Sequence, residues 1–470
     1  MDLNLELLQK TLSDNSDLIY RKFYCQEELI TVVGIENMVD GTKIGKYIIE
    51  PLVNYNKPFY DVETLCKEVI LASPAEKVNS NNEAFEHLFN GCILMFFSSY
   101  PEVVHCNVTG FVKRTLSTPI TEATVKGPQV GFTEDIQDNL SLIRRRIKTV
   151  DLKTKQFILG EKSLTSCYML YIEGRAPEEL VRYVESKVED IGNNKEYILY
   201  SNNIEESLRS KHTPFDTVGY SEKPDICSQK LTEGRIILLL DGTSVGVIAP
   251  YFFNDGFQTI DDYTMNKFMA NTARILRFIS FWVSMLVPGL YIALVTHHFR
   301  LIPTILLFKL AMFRSVVPIP TILEFLVMIG FFQILREAGV RLPQPIGSTL
   351  SIVGALILGE AAVASGVASQ ITVVVVGITS ICSYLVPKLY NAIFYWNSLI
   401  TILSSLLGLA GFYVGFVLLI AHMADLDSLG YPYLHPLGTR RTYRYKDITF
   451  RGSLNEIGNP MFSGKDGGQS

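Results

Sequence analysis

The chain has 470 residues, with 42 basic and 47 acidic side chains and a formal net charge of -5, a balance too mild for a nucleic-acid-binding protein. The charge is unevenly spread: positions 275–430 hold only 12 Asp, Glu, Lys or Arg in 156 residues, in apolar runs of membrane length. An ordinary soluble protein is thereby excluded, while the charge-rich front is long enough to bury cores of its own.

The opening, MDLNLELLQK, carries acid early and lacks the basic n-region and unbroken apolar stretch of a signal peptide. The front block is therefore expected to stay in the cytoplasm. Seven cysteines are scattered without CxxC spacing, which points to buried, reduced thiols rather than a disulfide framework or a zinc site.

The front block contains a repeat. Residues 29–35 (LITVVGI) form a β-branched run, and residues 40–53 follow with Ile44, Tyr47, Ile48 and Leu52 at helical spacing. Residues 167–172 (CYMLYI) form the second run, followed by 176–188 with Leu180, Tyr183, Val184 and Val188. Each copy then places a glycine before a continuous apolar strand, Gly91 before CILMFFSS and Gly234 before RIILLLDG, the reading of a strand covered on both faces. Asp241-Gly242 suits a hairpin turn. No GKS, GKT or GxGxxG loop for phosphates is present.

Between the copies, Thr133 is placed to cap a helix with Glu134 and Asp135 in its first turn and Arg144, Arg145 and Arg146 in its last, the order the helix dipole favours. Ile136, Leu140, Ile143 and Ile147 make its apolar stripe. The three arginines read as a solvated helix end or as a contact with a neighbouring subunit or anionic lipid.

The membrane block opens with 22 uncharged residues, 278–299, preceded by Arg274 and Arg277. Next come 301–313, too short to cross alone, 316–335 starting near Pro318 and Pro320, the longer stretch 348–387, and a last span over 390–423. Arg440, Arg441, Arg444 and Lys446 open the tail and prefer the cytoplasmic side, so both ends lie inside and the number of crossings is even: four plus short pieces, or six.

Charges inside hydrocarbon face protein or water and often line a pathway. Glu324 reads either as such a group or as the partner of Arg336 or Arg341. Arg336, Glu337 and Arg341 read as structural charges. Glu360 lies among Gly354, Ala355, Gly359, Ala361, Ala362, Ala364, Ser365, Gly366 and Ala368, small residues that let helices approach and copies gather round an axis. A carboxylate ring from identical subunits attracts cations, which makes Leu356, Gly359, Glu360, Ala362 and Ser365, with Glu324, the expected pore or gating residues. His297-His298 at a span's end read as interfacial rather than as metal ligands.

Several stretches carry a resemblance: RTLSTP (114–119), Lys126-Gly127-Pro128, Gly131-Phe132, EKPD (222–225), EGRIILLLDG (233–242), DDY (261–263), PGLYIALVTHH (288–298), LIPT (301–304), REAGVRLPQPIGSTLSIVGALILGEAAV (336–363) and Val386-Pro387. Over roughly 110–425 they closely resemble the A-subunit family of GerA-type spore germination receptors. The resemblance implies a multi-pass protein of the endospore inner membrane, acting beside a transporter-like B subunit and a lipid-anchored C subunit. It further implies a homo-oligomer, a pentamer, that forms a cation channel. Two positions depart from the family pattern: Gly359-Glu360-Ala361-Ala362 stands where many relatives have Gly-Gln-Ala-Ala, and Val317-Pro318-Ile319-Pro320 replaces a Pro-Phe-Pro-Pro-like turn.

The expected architecture is thus a tandem α/β cytoplasmic domain of two related repeats, then a polytopic α-helical membrane domain. The segments are 1–110 (first α/β subdomain), 111–150 (connecting helical segment), 151–270 (second α/β subdomain), 271–425 (membrane domain) and 426–470 (cytoplasmic tail). The expected role is a non-enzymatic receptor subunit without cofactor or metal. A related sporulation membrane protein with a different partner and a secondary transporter are the alternatives.

Overall fold

The computed structural model describes residues 4–55, 61–72, 74–110, 122, 126–342, 354, 357–437, 447–453 and 461–462. Two five-stranded sheets fill the front block. The first joins β1 (Leu18–Cys25), β2 (Glu28–Ile35), β3 (Ala75–Lys77), β4 (Cys92–Phe97) and β5 (Val103–Asn107) in the order β1-β2-β4-β5-β3. The second joins β6 (Leu152–Leu159), β7 (Thr165–Ile172), β8 (Gly219–Ser221), β9 (Ile236–Leu240) and β10 (Gly246–Ala249) in the order β6-β7-β9-β10-β8. The two orders are the same strand for strand, and every neighbouring pair is antiparallel.

The physical basis of the repeat is visible in the central strands. Strands β4 and β9 are buried along their whole length, because each sheet has an apolar cluster on both faces. Met95, Ile93, Ile30 and Val32 face one core of the first sheet, while Leu94, Phe96, Val33 and Ile35 face the other. In the second sheet Cys167, Met169 and Leu238 face one side and Tyr168, Leu170 and Leu239 the other. Each fully buried Leu, Ile or Val side chain contributes roughly 1.5–3 kcal/mol, so both copies are self-supporting.

The turn before each central strand needs a left-handed residue. Gly91 has φ +84° and Gly234 φ +93°, a region that glycine enters without steric cost. A Cβ at Gly91 would lie 2.8 Å from the Met38 carbonyl, and one at Gly234 2.5 Å from the Arg175 carbonyl. Gly242 turns the β9–β10 hairpin at φ +77°.

The copies differ in their first helices. The second has one 17-residue helix, Glu178–Asn194, whereas the first runs Gly41–Ile44, through a π-helical stretch Gly45–Ile49, to Glu50–Val53. Asp40 caps that start by accepting from the amides of Thr42 and Lys43.

The connecting helix is Ile136–Arg144, and its cap corrects the expectation by two residues. Asp135, not Thr133, accepts from the amides of Gln137 and Asp138. The Thr133 hydroxyl instead accepts from the amide of Asp135, and its own amide donates to Asn139. Ile136, Leu140 and Ile143 are buried against the second sheet, and Ile147 packs beside them.

Helices dominate the described residues from Lys267 onward, followed by a short two-stranded ladder of Asp427–Ser428 and Tyr431–Pro432. The 30-residue helix Lys267–Thr296 runs through Pro288 and is the one described helix long and apolar enough to cross a membrane unaided. The helices Gln370–Tyr384 and Tyr390–Leu407 pass that test only as a pair, bent by 108° at Pro387–Leu389. Thr304–Arg314 is the expected short helix, and Thr321–Arg341 starts directly after Pro320. The span expected over 390–423 is instead two helices, Tyr390–Leu407 and Leu409–Asp425, broken at Gly408 with φ +64°. They fold back on each other closely, since a Cβ at Gly411 would meet the Leu403 carbonyl at 2.0 Å.

Candidate functional site: a buried charged junction and an acidic helical segment

Where the front block meets the long helix, charged side chains are packed away from water. Lys230 lies in the last turn of the helix Pro224–Thr232, and Glu233 and Arg235 flank Gly234 at the entry to β9. Asp255 lies in the 3-10 turn Phe253–Phe257, Asp262 in the helix Asp261–Thr264, and Arg274 and Arg277 in the first turns of the long helix. Asp447 and Arg451 come from the tail. All nine are buried.

These groups form two linked knots. In the first, Arg235 grips both oxygens of Asp255 at 2.5 and 2.9 Å and pairs with Glu233 at 3.0 Å. Lys230 bridges Glu233 at 3.1 Å, Asp255 at 2.8 Å and the Gln258 amide oxygen at 2.8 Å. In the second, Arg274 donates to Asp262 at 2.8 Å and to Asp447 at 2.6 Å, while Arg277 donates to Asp262 and to the Phe257 carbonyl. Gln258 joins the knots by donating to the Asp447 carbonyl at 2.9 Å. Arg451 donates to the carbonyls of Asp262 and Met265.

The electrostatics follow from the pairing. Burial by itself raises the Asp255 carboxyl, but the Arg235 and Lys230 charges outweigh it and hold it below the usual carboxylate range. Burial, and then the neighbouring Asp447 charge, push the Tyr263 phenol well up, so it stays a donor to Asp447 at 2.5 Å. Breaking one partner of such a buried pair strands the other, which costs about 3–5 kcal/mol. The junction therefore clamps the start of the long helix, the tail and the β9 corner together. A second tie is Lys388, which sits at the bend between Gln370–Tyr384 and Tyr390–Leu407 and pairs with Glu122 at 3.2 Å.

The expected pore residues are placed as follows. Glu360 is exposed on a helix over 357–364 that also carries Gly359 and the buried Ala362. Ser365, at its end, is exposed and donates to the Ala362 carbonyl at 3.3 Å. Leu356 lies outside the described residues. Gly366 turns the chain at φ +70° close to the Val316 carbonyl.

Glu324 is fully buried and is not paired with an arginine. One of its oxygens accepts the Ser369 amide at the start of the helix Gln370–Tyr384, where the helix dipole favours an anion. The other oxygen has no hydrogen-bond partner. Tyr291, Ser369 and Thr372 link their hydroxyls beside it at 3.0 Å. This corrects the expected pair with Arg336 or Arg341. Arg341 instead pairs with Glu337 one turn away at 2.6 Å, and Arg336 lies over the rings of Tyr390 and Tyr384.

The arginine trio also divides. Arg144 is 1% exposed and holds Asp17 at 2.9–3.0 Å, with further bonds to Asn15 and the Leu152 carbonyl. Its charge is spent inside the chain, tying the N-terminal strand segment to the second sheet, which corrects the reading of this residue as a surface contact. Arg146 pairs with Asp225, and Arg145 is exposed. The tail cations Arg440, Arg441, Arg444 and Lys446 lie outside the described residues.

The junction was missed in the sequence because its members are up to 221 positions apart (Lys230 to Arg451). The available signal was Asp262 in DDY and Glu233 and Arg235 in EGR, charges set against apolar runs. All seven cysteines are free, five of them buried.

Comparison with known proteins places the chain. Residues 6–460 match the family described as Bacillus/Clostridium GerA spore germination protein. Spore germination protein KA of Bacillus subtilis (strain 168) is 34% identical over 456 residues, covering 95% of this chain and 84% of that protein. An uncharacterized membrane protein of the same strain, YfkQ, is 32% identical over 95% of this chain and 88% of its own length. A crystal structure of the N-terminal domain of the A subunit of the Bacillus megaterium spore germinant receptor GerK3 is 25% identical, covering 53% of this chain and 94% of that one, with a TM-score of 0.41. With a family match running through both sheets, the junction and the helices, this chain belongs to the GerA family of spore germination receptor A subunits.

Proposed function

We propose that this subunit assembles with copies of itself in the endospore inner membrane into a cation-conducting channel. Nutrient sensed by a transporter-like B subunit, with a lipid-anchored C subunit alongside, opens it. No reaction is catalysed. The observation that carries this reading is Glu360, an exposed carboxylate on an otherwise apolar, small-residue helix. Such a group is costly against acyl chains. Gathered from several copies round a wet axis, it becomes a cation-attracting ring.

The path of the helices supports a multi-pass topology. The long helix leaves the junction and ends at His297, which lies with His298 against Gly408. Thr321–Arg341 runs back, because Glu324 lies near Ser369 and Gln333 near Tyr390. The 357–364 helix returns toward Val316, Gln370–Tyr384 descends to the bend beside the front block, and the last two helices rise to Gly408 and return. The described helices turn back on one another repeatedly and leave the front block and the Asp447–Arg451 tail at the same end, which agrees with an even number of passes. Residue 324 anchors a helix start within this bundle rather than lining the axis.

The channel is tested by cation flux through the purified, reconstituted wild-type receptor and its Glu360→Gln variant. A flux reduced several-fold with normal assembly is expected. An unchanged flux from a normally assembled variant removes the carboxylate ring.

A further inference from the structure

Three soft donors converge in the first sheet, away from the junction and the membrane helices. His87 lies in the last turn of the helix Asn81–Phe89, Cys92 opens β4 and His105 lies on β5. The register pairs Leu94 with His105. Since alternate residues share a face, Cys92 and His105 sit diagonally on the face that the helix covers. The left-handed Gly91 returns the chain from the helix into β4 and so brings His87 over them. One ligating atom from each of the three lies within 4.8 Å of the other two. The two imidazoles stack with centroids 3.6 Å apart.

The polar accounting of this corner is incomplete. His105 is 3% exposed, yet its Nδ1 has no hydrogen-bond partner among the described residues. A buried donor or acceptor left unmade is destabilising by about 1–3 kcal/mol. A metal ion would satisfy it. His87 Nε2 lies 3.8 Å from the Glu83 carboxylate, which leaves Nδ1 as the ring's other donor, and a carboxylate behind a ligating imidazole is the usual outer-shell arrangement. Glu83 is itself held in place by the Asn79 amide at 2.8 Å.

We propose that His87, Cys92 and His105 bind a zinc ion. Two imidazoles and a thiolate are a donor set that zinc accepts in tetrahedral geometry, with water or a further ligand in fourth place. Donor atoms in such a site stand about 3.5 Å apart, so the three atoms must close by about an ångström, and the rim imidazole of His87 must turn out of its stack on His105 so that both ring nitrogens aim at the ion. As the S–Zn bond forms, the Cys92 thiol gives up its proton to solvent, which makes binding weaker at low pH. The spacing His-x4-Cys-x12-His carries no CxxC signature, and the site exists only because the sheet places β4 beside β5. The second copy has Lys230, Arg235 and Ile248 at the equivalent positions, so the site belongs to the first copy alone.

The test is the zinc content of the purified full-length chain after equilibration in a zinc buffer, with competition against a chromophoric chelator. About one zinc per chain is expected for the wild type. His87→Ala and Cys92→Ser should each weaken binding at least tenfold, and Cys92→Ser should remove the thiolate charge-transfer band of the cobalt-substituted protein. His87 lies at the rim, so its variant keeps the fold, as its melting curve will verify. No zinc above a chelator-treated control, or equal affinity in wild type and His87→Ala, would overturn the proposal.

Discussion

The two sheets have the same strand order, and the same corner of each is built on a left-handed glycine, yet the corners carry opposite chemistry. Four residues before Gly91 stands His87 and one after it Cys92; the corresponding positions round Gly234 are Lys230 and Arg235. In the first copy neither of these two positions carries a fixed charge. In the second the corner is filled by paired charges that reach out to Asp255 and, through Gln258, to the foot of the long helix. Sheet order and apolar faces are thus preserved by burial, while the corner residues, which no central core position constrains, are where the copies diverge in task. Among the described residues, the charged corner of the second copy reaches the foot of the long helix, whereas the corner of the first contacts the connecting segment instead, through Lys148.

The sharpest way to break this contrast is to cut the second corner. Replacing Arg274 by Ala leaves Asp447 in a dry site without its cation, while Asp262 keeps Arg277, and should cost about 3–5 kcal/mol, read as a large fall in the melting temperature of the detergent-purified receptor. Replacing both Arg274 and Asp447 by apolar residues of similar size should recover much of the loss. If the single variant melts like wild type, the junction is not a clamp.

Next in size is the tie between the copies. Arg144→Met should destabilise by roughly 3 kcal/mol through the abandoned Asp17, and Asp17→Leu in the same chain should restore most of it, measured by denaturant unfolding. Equal stability of the single variant and wild type would show that Arg144 does not join the N-terminal segment to the second sheet.

A pH profile sharpens the comparison further. The Asp255 carboxyl is lower folded than unfolded, so its pairing stabilises fully above about pH 4, where the unfolded group is ionised. That stability fades as pH falls below this point and the unfolded chain takes up the proton. The stability gap between wild type and Asp255→Asn should therefore be widest near neutrality and shrink on acidification, as thermal melts from pH 7 to 3 will determine. A gap that stays constant contradicts the pairing.

The smallest effect belongs to the surface. Arg182 and Glu178 form an exposed pair on the helix Glu178–Asn194 at 3.3 Å. Solvent screens such contacts, so Arg182→Ala should leave the melting temperature unmoved, and a clear drop would mean that this helix face is covered in the assembly.

What was legible in the sequence was what burial writes locally. The runs LITVVGI, CILMFFSS, CYMLYI and RIILLLDG exposed the repeat because both faces of those strands are covered. Their edge partners, LIYRKFYC and LKTKQFIL, escaped notice because each is only partly buried and mixes basic and polar residues into the strand, which leaves no continuous apolar run. Gly408 sits among apolar residues with no charge nearby, so one span was expected where the chain doubles back. Arg144 looked solvated because its partner Asp17 lies 127 positions away. Glu324 and Glu360 stood out as charges in apolar surroundings, but only the packing separates them: one is enclosed at a helix start and the other turns outward.

The central claim is that copies of the chain meet at that outward face, and a cysteine at position 360 tests it most directly. In purified Glu360→Cys receptor, mild oxidation should link neighbouring subunits into disulfide-bonded dimers that reductant reverses, because the native thiols are mostly buried. If position 360 stays uncrosslinked while a lipid-soluble reagent labels it, the helix faces acyl chains and the shared axis does not exist.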